Sequence, residues 1–425
     1  MIASLVVQLG DVTIGRLERP SHGRLAFEYE DSYREDPGRT PLSLSMPVDV
    51  KRHADQVITP WLWGLLPDND AVLRRWAREF HVSASSAFSI LSTPVGHDCA
   101  GAVRFLNEET GRSPEGQAGV TWLTDEEVGE KLRELRSDKT SWLGQGFTGQ
   151  FSLAGAQAKT ALLLENGRWG IPYGDIPTTH ILKPAIDGID DHDLNEHLCL
   201  DAAGRAGLIS ARSSITDFDG QTAVVVERYD RVPRPDGRIR RIHQEDLCQA
   251  LRVHPRDKYQ NEGGPTPSEI ANLFRDSMPP QASLESVWRF AESLAWNWII
   301  GGTDAHAKNY SLLLAGPDVR LAPLYDVASA LPYGVHEKKL RLAMKIGTSY
   351  EVFPRRNTWP GAARTLGLDP DELIAKVTEL TEAAPDAFAD SANHPDVEGL
   401  GRELPAKLVD LVAERSKRCL ELLAG

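Results

Sequence analysis

The chain has 425 residues, a length that predicts two or three domains, each with its own core. Its hydrophobic content of 41% and charged content of 25% are typical of a globular protein and argue against extensive disorder. The formal net charge of -14 argues against a free-standing nucleic-acid binder, because basic side chains that neutralise phosphates supply most non-specific affinity.

Cysteine spacing and hydropathy favour a reduced protein of the cytoplasm. The cysteines lie far apart and form no CxxC pair, which argues against a structural zinc site and a disulfide framework. No uncharged apolar stretch of about 18 residues occurs, so neither a membrane span nor a secretory signal is expected.

Residues 1–106 are predicted to form a small N-terminal domain that begins with strands. Leu5–Leu9 and Thr13–Leu17 flank a Gly-Asp turn, and Arg24–Tyr29 supplies a third strand. Helical periodicity then follows over Trp61–Phe80.

Residues 107–145 are predicted to contain a linker and a charged helix. The stretch 107–119 is rich in Gly, Glu and Ser, as loops are. Thr124–Glu127 is typical of a capping box and opens a helix that runs to about Arg136.

From residue 146 onward the pattern changes from strands to helices. Strand patterns at Phe151–Leu164, His180–Lys183 and Thr222–Val226, with a helix at Asn195–Ala206, predict a β-rich lobe over 146–241. Residues 242–425 are mostly helical. Their clearest helix, Ser283–Ile300, ends at a Gly-Gly pair, and an Asp-Pro pair at 369–370 begins another. The order predicts an α+β, two-lobed fold with a ligand cleft between the lobes.

The segment 302–309, Gly-Thr-Asp-Ala-His-Ala-Lys-Asn, contains the most informative motif. Asp304 is followed five residues later by Asn309, and a predicted hairpin then leads to Asp326. Protein kinases have the same Asp-to-Asn interval and a metal-binding Asp beyond a short hairpin. Asp304 therefore fits a catalytic base, and Asn309 and Asp326 fit magnesium ligands. The alternative is a helix cap, a turn residue and a surface acid, because short polar motifs arise by chance.

Residues 152–160, Ser-Leu-Ala-Gly-Ala-Gln-Ala-Lys-Thr, lie between two predicted strands and are rich in small side chains. Small residues let backbone N–H groups approach phosphates, so the segment is interpreted as a β-hairpin lid over ATP with Lys159 as a further phosphate contact. A Walker A loop is excluded, since Ala158 stands where that motif requires glycine. A plain tight hairpin is the alternative.

Lys183 ends a short strand and is a candidate contact for the α- and β-phosphates, although a surface lysine is the alternative. Glu196 on the following helix is a candidate partner for Lys183, but several aspartates between 190 and 193 compete with it.

The apolar strand 224–226 leads into Glu227-Arg228-Tyr229, where the interlobe hinge of a kinase is expected. Glu227 and Tyr229 would bind adenine mainly through main-chain groups. His306 is interpreted as bracing the loop or contacting a phosphate, because a zinc site would bring several clustered ligands and no HExxH motif is present.

Together these motifs resemble the HipA family of bacterial toxin kinases. The resemblance reaches the N-terminal region through Leu42–Met46 and Gly64–Pro67. Gly302 and Ala158 depart from the family pattern, in which a polar residue and Glu are more usual. The motifs that carry the resemblance are Ser152–Thr160, Thr179–Lys183, Asn195–His197, Val226–Arg231, Ile242–Asp246, Thr303–Asn309 and Leu324–Val327.

The resemblance implies a protein-kinase-like fold and an ATP- and Mg²⁺-dependent serine/threonine kinase from a type II toxin–antitoxin module. It implies that Asp304 is the base and that Asn309 and Asp326 hold Mg²⁺. Ser152 matches the family's autophosphorylated serine, which tends to switch the enzyme off. The residues implied to bind ATP are Ala154, Gly155, Ala156, Gln157, Ala158, Lys159, Lys183, Glu227, Arg228, Tyr229, His306, Lys308 and Tyr325.

The resemblance also implies partners. A HipB-like helix-turn-helix antitoxin would bind the kinase and take it to operator DNA, so DNA contact is expected mainly through the antitoxin. The best-known member phosphorylates glutamyl-tRNA synthetase and promotes dormancy, which implies a translation factor such as an aminoacyl-tRNA synthetase as substrate, with growth arrest and persistence as the outcome. Two alternatives stay open: a catalytically inactive corepressor partner of an antitoxin, and a small-molecule kinase.

Overall fold

The computed structural model describes residues 3–20, 23–107, 118–144, 149–352 and 358–424. Within those ranges, no helix is both long and apolar enough to cross a membrane. Most of the predicted linker (108–117) and residue 146, where the β-rich lobe is predicted to begin, lie outside the described residues. The predicted domain boundaries therefore stay a prediction.

The N-terminal unit, residues 3–107, contains an antiparallel sheet in the order β4-β3-β2-β1-β5. The predicted first hairpin is confirmed, and Gly10 at its turn has the positive φ of +60° that glycine tolerates. The helical pattern predicted around Trp61–Phe80 is confirmed, but it does not form one element. It is two helices, and Pro67 lies in the break between them. The strands and helices are Ala3–Leu9 (β1), Val12–Arg19 (β2), Ala26–Tyr29 (β3), Asp31–Arg34 (α1), Arg52–Ala54 (β4), Asp55–Gly64 (α2), Asp70–Glu79 (α3), Ala87–Leu91 (α4) and Val103–Asn107 (β5).

The β-rich lobe is a second antiparallel sheet in the order β10-β11-β9-β7-β8-β6. The predicted charged helix is confirmed, and Thr124 caps it through a complete capping box with Glu127. The range that was assigned to the linker also supplies strand β6. The elements are Gly119–Leu123 (β6), Asp125–Ser137 (α5), Thr160–Glu165 (β7), Arg168–Tyr173 (β8), His180–Pro184 (β9), His192–Arg205 (α6), Ser213–Phe218 (β10) and Gln221–Glu227 (β11).

The predicted strand–turn–strand over Phe151–Leu164 is only half correct, because its first half is not a strand. Ser152 instead forms an isolated parallel bridge with Cys99 of the N-terminal unit. The proposed lid, residues 152–160, is therefore not a β-hairpin. Its backbone groups bond to a different part of the chain rather than to β7.

The remaining chain forms short hairpins and a helical lobe. The long apolar helix is confirmed, although it begins three residues earlier, at Pro280, and Gly301 ends it in the left-handed region with φ +67°. Asp369 caps α11 as predicted. The elements are Arg231–Pro233 (β12), Ile239–Arg241 (β13), His243–Asp246 (β14), Leu247–Ala250 (α7), Pro267–Ser277 (α8), Pro280–Ile300 (α9), Ser311–Ala315 (β15), Asp318–Leu321 (β16), Arg341–Ile346 (β17), Ser349–Glu351 (β18), Thr358–Leu366 (α10), Pro370–Ala392 (α11), Pro395–Glu398 (α12) and Leu404–Leu423 (α13).

Two apolar cores hold these layers together. One joins the N-terminal unit to the β-rich sheet and buries Phe105, Trp142 and Leu182. The other fills the helical lobe and includes Leu198 of α6 and the stacked rings of Trp296 and Phe388. The helix α6 therefore belongs by packing to the helical lobe, while the sheet that precedes it packs on the N-terminal unit. A cleft opens between these two cores.

Candidate active site

A cleft of about 630 Å³ opens between the β-rich sheet and the helical lobe. The structure brings together at this cleft every residue that the sequence assigned to base, metal or nucleotide contacts. Ser152, the predicted autophosphorylation site, is not among the residues that line the cleft. The predicted residues that line the cleft are Ala154, Gly155, Ala156, Gln157, Ala158, Lys159, Lys183, Glu227, Arg228, Tyr229, Asp304, His306, Lys308, Asn309, Tyr325 and Asp326.

Asp304 and Asn309 form one hydrogen-bonded loop directly after α9. The Asn309 Nδ2 donates to the Asp304 carbonyl oxygen at 2.8 Å. This bond fixes the amide and leaves the Asn309 Oδ1 available as an acceptor. The Tyr259 hydroxyl donates to Asp304 Oδ1 at 2.6 Å. Burial raises the pKa of Asp304 above its ordinary value, and the hydrogen bond from Tyr259 opposes that rise. The carboxylate is thus oriented and made more basic.

Lys183 lies between two carboxylates, which resolves the question of its partner. Its Nζ donates to Glu196 Oε1 at 2.7 Å and to Asp326 Oδ1 at 2.7 Å. Burial opposes the charge on Lys183, but Asp326 and Glu196 outweigh it and raise its pKa. Burial likewise opposes the charge on Asp326, and Lys183 holds the pKa of Asp326 well below its usual range. Lys183 and Asp326 are therefore both charged at neutral pH.

Asn309 and Asp326 present oxygen donors of the kind that Mg²⁺ takes. Lys183 donates to Oδ1 of Asp326, and Asn309 uses its Nδ2 as a donor, so Asp326 Oδ2 and Asn309 Oδ1 are the oxygens that an ion would take. Among the described residues, no group of three or more His, Cys, Asp or Glu side chains comes together as a metal site. A magnesium ion here would take its other ligands from phosphate and water, as this ion usually does.

Lys159, at the end of the proposed lid, bonds back to the start of the same segment. Lys159 Nζ donates to the Ala154 carbonyl at 2.8 Å and lies 4.6 Å from the ring centroid of Trp142. Gly155 has a φ of +101°, and a Cβ there would lie 2.8 Å from Lys159 Nζ. Glycine at 155 therefore serves both the turn and the close approach of the lysine.

Ser152 is fully buried at the base of the lid. Its hydroxyl donates to the Leu65 carbonyl at 2.8 Å, and its N–H donates to the Asp98 carbonyl at 3.0 Å. In this conformation the hydroxyl is not accessible to a second molecule. Its assignment as an autophosphorylation site stays a prediction.

The hinge presents main-chain groups, as expected, but not all of them are free. The Glu227 N–H donates to Arg212, and the Arg228 N–H donates to Thr179. Tyr229 differs, because no acceptor for its N–H is found within the described part of the chain. The Arg228 guanidinium is buried, and its Nε and Nη2 both donate to Asp230. Arg228 can therefore approach a nucleotide only through its main chain.

His306 and Tyr325 make contacts that hold the loop of residues 303–309 in place. The His306 ring packs edge-to-face on Tyr259, with 4.9 Å between centroids, and burial lowers the pKa of His306 to about 3. The imidazole is therefore neutral at physiological pH. The Tyr325 hydroxyl donates to the Lys308 carbonyl at 2.7 Å and its ring lies 5.8 Å from that of Tyr229.

Three residues at the cleft were not found from the sequence: Asp68, Lys258 and Tyr259. Asp68 pairs with Lys258 at 2.8 Å and also with Lys308. The one available signal for Asp68 was its place directly after the motif Gly64–Pro67. Lys258 and Tyr259 lie in a loop with no recognisable pattern, and only folding brings them to Asp304.

Two protein-family models match the chain. The HipA-like C-terminal domain matches residues 151–388, and the HipA N-terminal domain matches residues 5–106. A protein of Sinorhizobium fredii named "Putative kinase Y4mE" is 33% identical over 378 residues, covering 88% of this chain and 89% of the relative.

Two Shewanella oneidensis findings extend the likeness over nearly the whole chain. A protein named "Serine/threonine-protein kinase toxin HipA" is 27% identical over 407 residues, covering 91% of this chain and 89% of the relative. A solved chain from the complex of HipA, HipB and operator DNA has a TM-score of 0.81 and 25% identity, covering 99% of this chain and 96% of that chain. The predicted two-lobed kinase-like fold is thereby confirmed.

Proposed function

Because this chain belongs to the HipA family and is a kinase, we propose that it is the toxin of a type II toxin–antitoxin module and phosphorylates serine or threonine of a protein, using ATP and Mg²⁺. The observation that supports the kinase activity in this proposal is the pair of salt bridges that Lys183 forms with Glu196 and Asp326. Active protein kinases need that lysine–glutamate pair and a metal-binding aspartate in place.

The roles of the side chains follow from their positions. Asp304 accepts the proton of the attacking hydroxyl, aided by the burial that raises its pKa and by the Tyr259 hydroxyl that orients it. Asn309 and Asp326 hold Mg²⁺, which when bound neutralises charge on the phosphates. Lys183 holds the α- and β-phosphates. Each group acts by position and charge, which is how phosphoryl transfer is catalysed.

The nucleotide is held at its adenine edge and at its phosphates. The free Tyr229 N–H donates to the adenine edge. The small residues from Ala154 to Ala158 bring backbone N–H groups to the phosphates, with Lys159 beside them. His306 is neutral and buried, so it acts as a support for Tyr259 and as a polar contact, not as a general base.

The proposed partners follow from the family and from the charge of the chain. A HipB-like helix-turn-helix antitoxin binds the kinase, and the structural likeness to a chain solved with HipB and operator DNA supports this. With a net charge of -14, this chain leaves most phosphate contact with DNA to that partner. The proposed substrate is a translation factor of the cytoplasm, such as an aminoacyl-tRNA synthetase, and its phosphorylation leads to growth arrest and persistence.

The test compares wild type with Asp304→Asn and with Asp318→Asn, an exposed aspartate in a nearby hairpin. Loss of a general base lowers kcat by about 10²- to 10⁴-fold, while ATP affinity is retained because the hinge, lysine and metal contacts remain. Transfer of ³²P from ATP to self and to candidate proteins, and ATP affinity, are measured on the same preparations.

Three results would contradict the proposal in different ways. Undiminished transfer by Asp304→Asn would remove the base assignment. A wild-type chain that binds antitoxin but transfers no phosphate would be a corepressor. Transfer to small metabolites and not to proteins would make it a small-molecule kinase.

A further inference from the structure

Asp68 of the N-terminal unit reaches into the cleft between the two lobes. It lies between α2 and α3, and its carboxylate bonds to lysines 190 and 240 positions away in sequence. Oδ2 accepts from Lys258 Nζ at 2.8 Å, and Oδ1 accepts from Lys308. The side chain is 14% exposed, so these contacts are largely shielded from water.

The two lysines flank the proposed catalytic carboxylate. Lys308 lies in the loop between Asp304 and Asn309. The Lys258 carbonyl accepts the Ala307 N–H of the same loop, and its ammonium lies 5.6 Å from the ring centroid of Tyr259, which bonds to Asp304. A lysine has a flexible stem and a mobile charge, so its ammonium is useful at a reacting phosphate only when something holds it.

Asp68 is ionised where it lies. Burial raises its pKa, but the charges of Lys308 and Lys258 outweigh burial and hold the pKa of Asp68 below its ordinary value. The same residue also touches the lid, because the Asp68 N–H donates to the Gly155 carbonyl at 3.0 Å. One residue thus contacts the catalytic loop, the Lys258 loop and the proposed phosphate lid.

We propose that Asp68 is a positioning residue for phosphoryl transfer: it holds Lys308 and Lys258 toward the transferred phosphate, so that the N-terminal unit completes the catalytic centre. This inference rests on the proposed kinase mechanism.

Asp68 is not needed to dock the N-terminal unit. Other buried contacts do that, among them Asp98 with Arg231 at 2.8 Å and Glu245 with the Leu44 N–H at 2.8 Å. Removing the charge at 68 should therefore change catalysis without separating the N-terminal unit from the lobes.

The experiment uses the full chain with Asp68→Asn, Asp68→Glu and the control Asp70→Asn, which alters an exposed acid two residues away. Steady-state kcat and KM for ATP are measured, together with the thermal midpoint. Asp68→Asn should lower kcat about 10- to 100-fold, because the lysines lose their orientation. The KM for ATP should stay the same or fall, because two ammonium groups are no longer neutralised. Asp68→Glu should restore part of kcat, and Asp70→Asn should match wild type.

A mutant cycle tests whether Asp68 affects kcat through Lys258 and Lys308. In a background of Lys258→Met and Lys308→Met, the further change Asp68→Asn should cost no additional kcat, since its two partners are gone. An independent, multiplicative loss would overturn the inference, as would a raised KM with a matching drop in thermal midpoint, which indicates a merely structural role. An active wild type with an equally active Asp68→Asn would overturn the inference alone. An inactive wild type would overturn the proposed function and this inference with it.

Discussion

Asp326 combines an unusual backbone conformation with a charge that pairs with Lys183. Its φ is +57°, in the left-handed region that few side chains other than Asn and Asp tolerate. The carboxylate that this backbone presents binds Lys183 at 2.7 Å with one oxygen, and the other oxygen is the proposed magnesium ligand. A test of its charge must therefore keep a side chain that accepts the same backbone.

Asp326→Asn should weaken Mg²⁺-ATP binding by about 10- to 100-fold, the range expected for losing one charge-assisted interaction of about 1.5–3 kcal/mol. Asparagine keeps the left-handed φ and the volume, so folding should be retained, whereas Asp326→Ala adds backbone strain. Affinity is measured by fluorescence titration over a series of Mg²⁺ concentrations. Unchanged affinity across that series would make Asp326 a structural residue.

Lys159 is a buried lysine that is only partly protonated near pH 7 in the nucleotide-free protein. Burial, with the positive Lys183 nearby, lowers the pKa of Lys159 to about 7. Phosphates that bind beside it would favour its charged form. Binding should therefore take up a proton above about pH 7, and affinity should fall as pH rises beyond that value.

Titration calorimetry of Mg²⁺-ATP at pH 8, in two buffers with different ionisation enthalpies, measures this proton uptake. Wild type should take up about one proton at pH 8 and much less at pH 6. Lys159→Met should take up none, and Lys417→Met, at an exposed site on α13, should behave as wild type. Equal heats in the two buffers at pH 8 would show that Lys159 does not respond to phosphate.

At the scale of elements, the lid is held by contacts with the N-terminal unit. Ser152 bonds to Leu65 and Asp98, and Gly155 accepts from Asp68. Several of these bonds would be lost together if the segment moved, so the closed lid depends on a small set of backbone contacts. A phosphate on Ser152 would bring about -1.5 to -2 charges next to carbonyl oxygens that now accept its hydroxyl and N–H.

Phosphorylation of Ser152 should therefore hold residues 152–160 in an open conformation and lower ATP affinity by about tenfold or more. The wild type is incubated with Mg²⁺-ATP, and the singly phosphorylated species is isolated by mass. Nucleotide affinity and amide hydrogen exchange over the lid are then compared with those of unmodified Ser152→Ala. A phosphorylated species with full affinity and slow exchange would rule out the switch.

Local signals explain which elements could be predicted. The capping box at Thr124 and the glycine that ends α9 are encoded within a few residues, so both helix ends were predictable. The pairing of Ser152 with Cys99 and the reach of Asp68 to Lys308 depend on distant parts of the chain, and no local pattern contains them. The failed hairpin and the missed Asp68 share this cause.

At the scale of the whole molecule, buried charges fix the N-terminal unit onto the kinase lobes. Asp98 accepts from Arg231 at 2.8 Å and from the Thr178 N–H at 2.9 Å, within a cluster that also contains Arg228. Burial opposes the charge on Asp98, but Arg231 and Arg228 hold its pKa well below its usual range. Removing one partner of such a buried pair typically costs about 3–5 kcal/mol, so this interface specifies one orientation.

A second buried contact across the same interface makes a contribution to folding stability that decreases as pH rises. Glu245 of β14 accepts from the Ser43 hydroxyl and from the Leu44 N–H, and burial raises its pKa from 4.5 to about 8. The folded protein therefore keeps a proton on Glu245 that the unfolded chain releases above about pH 4.5. The stabilisation is complete below that value and is lost as pH rises toward 8.

Glu245→Gln should remove this dependence, because the amide keeps the shape and the acceptor but does not titrate. Between pH 5.5 and 7.5, the free energy of unfolding of wild type should fall relative to Glu245→Gln with a slope of up to about 1.4 kcal/mol per pH unit. Urea unfolding at several pH values measures the difference, and the other titrating groups are common to both proteins. Glu130→Gln, which removes an exposed carboxylate from α5, should follow wild type at every pH. Parallel curves for wild type and Glu245→Gln would mean that Glu245 is already ionised in the folded interface, and that the N-terminal unit is docked through a charged carboxylate.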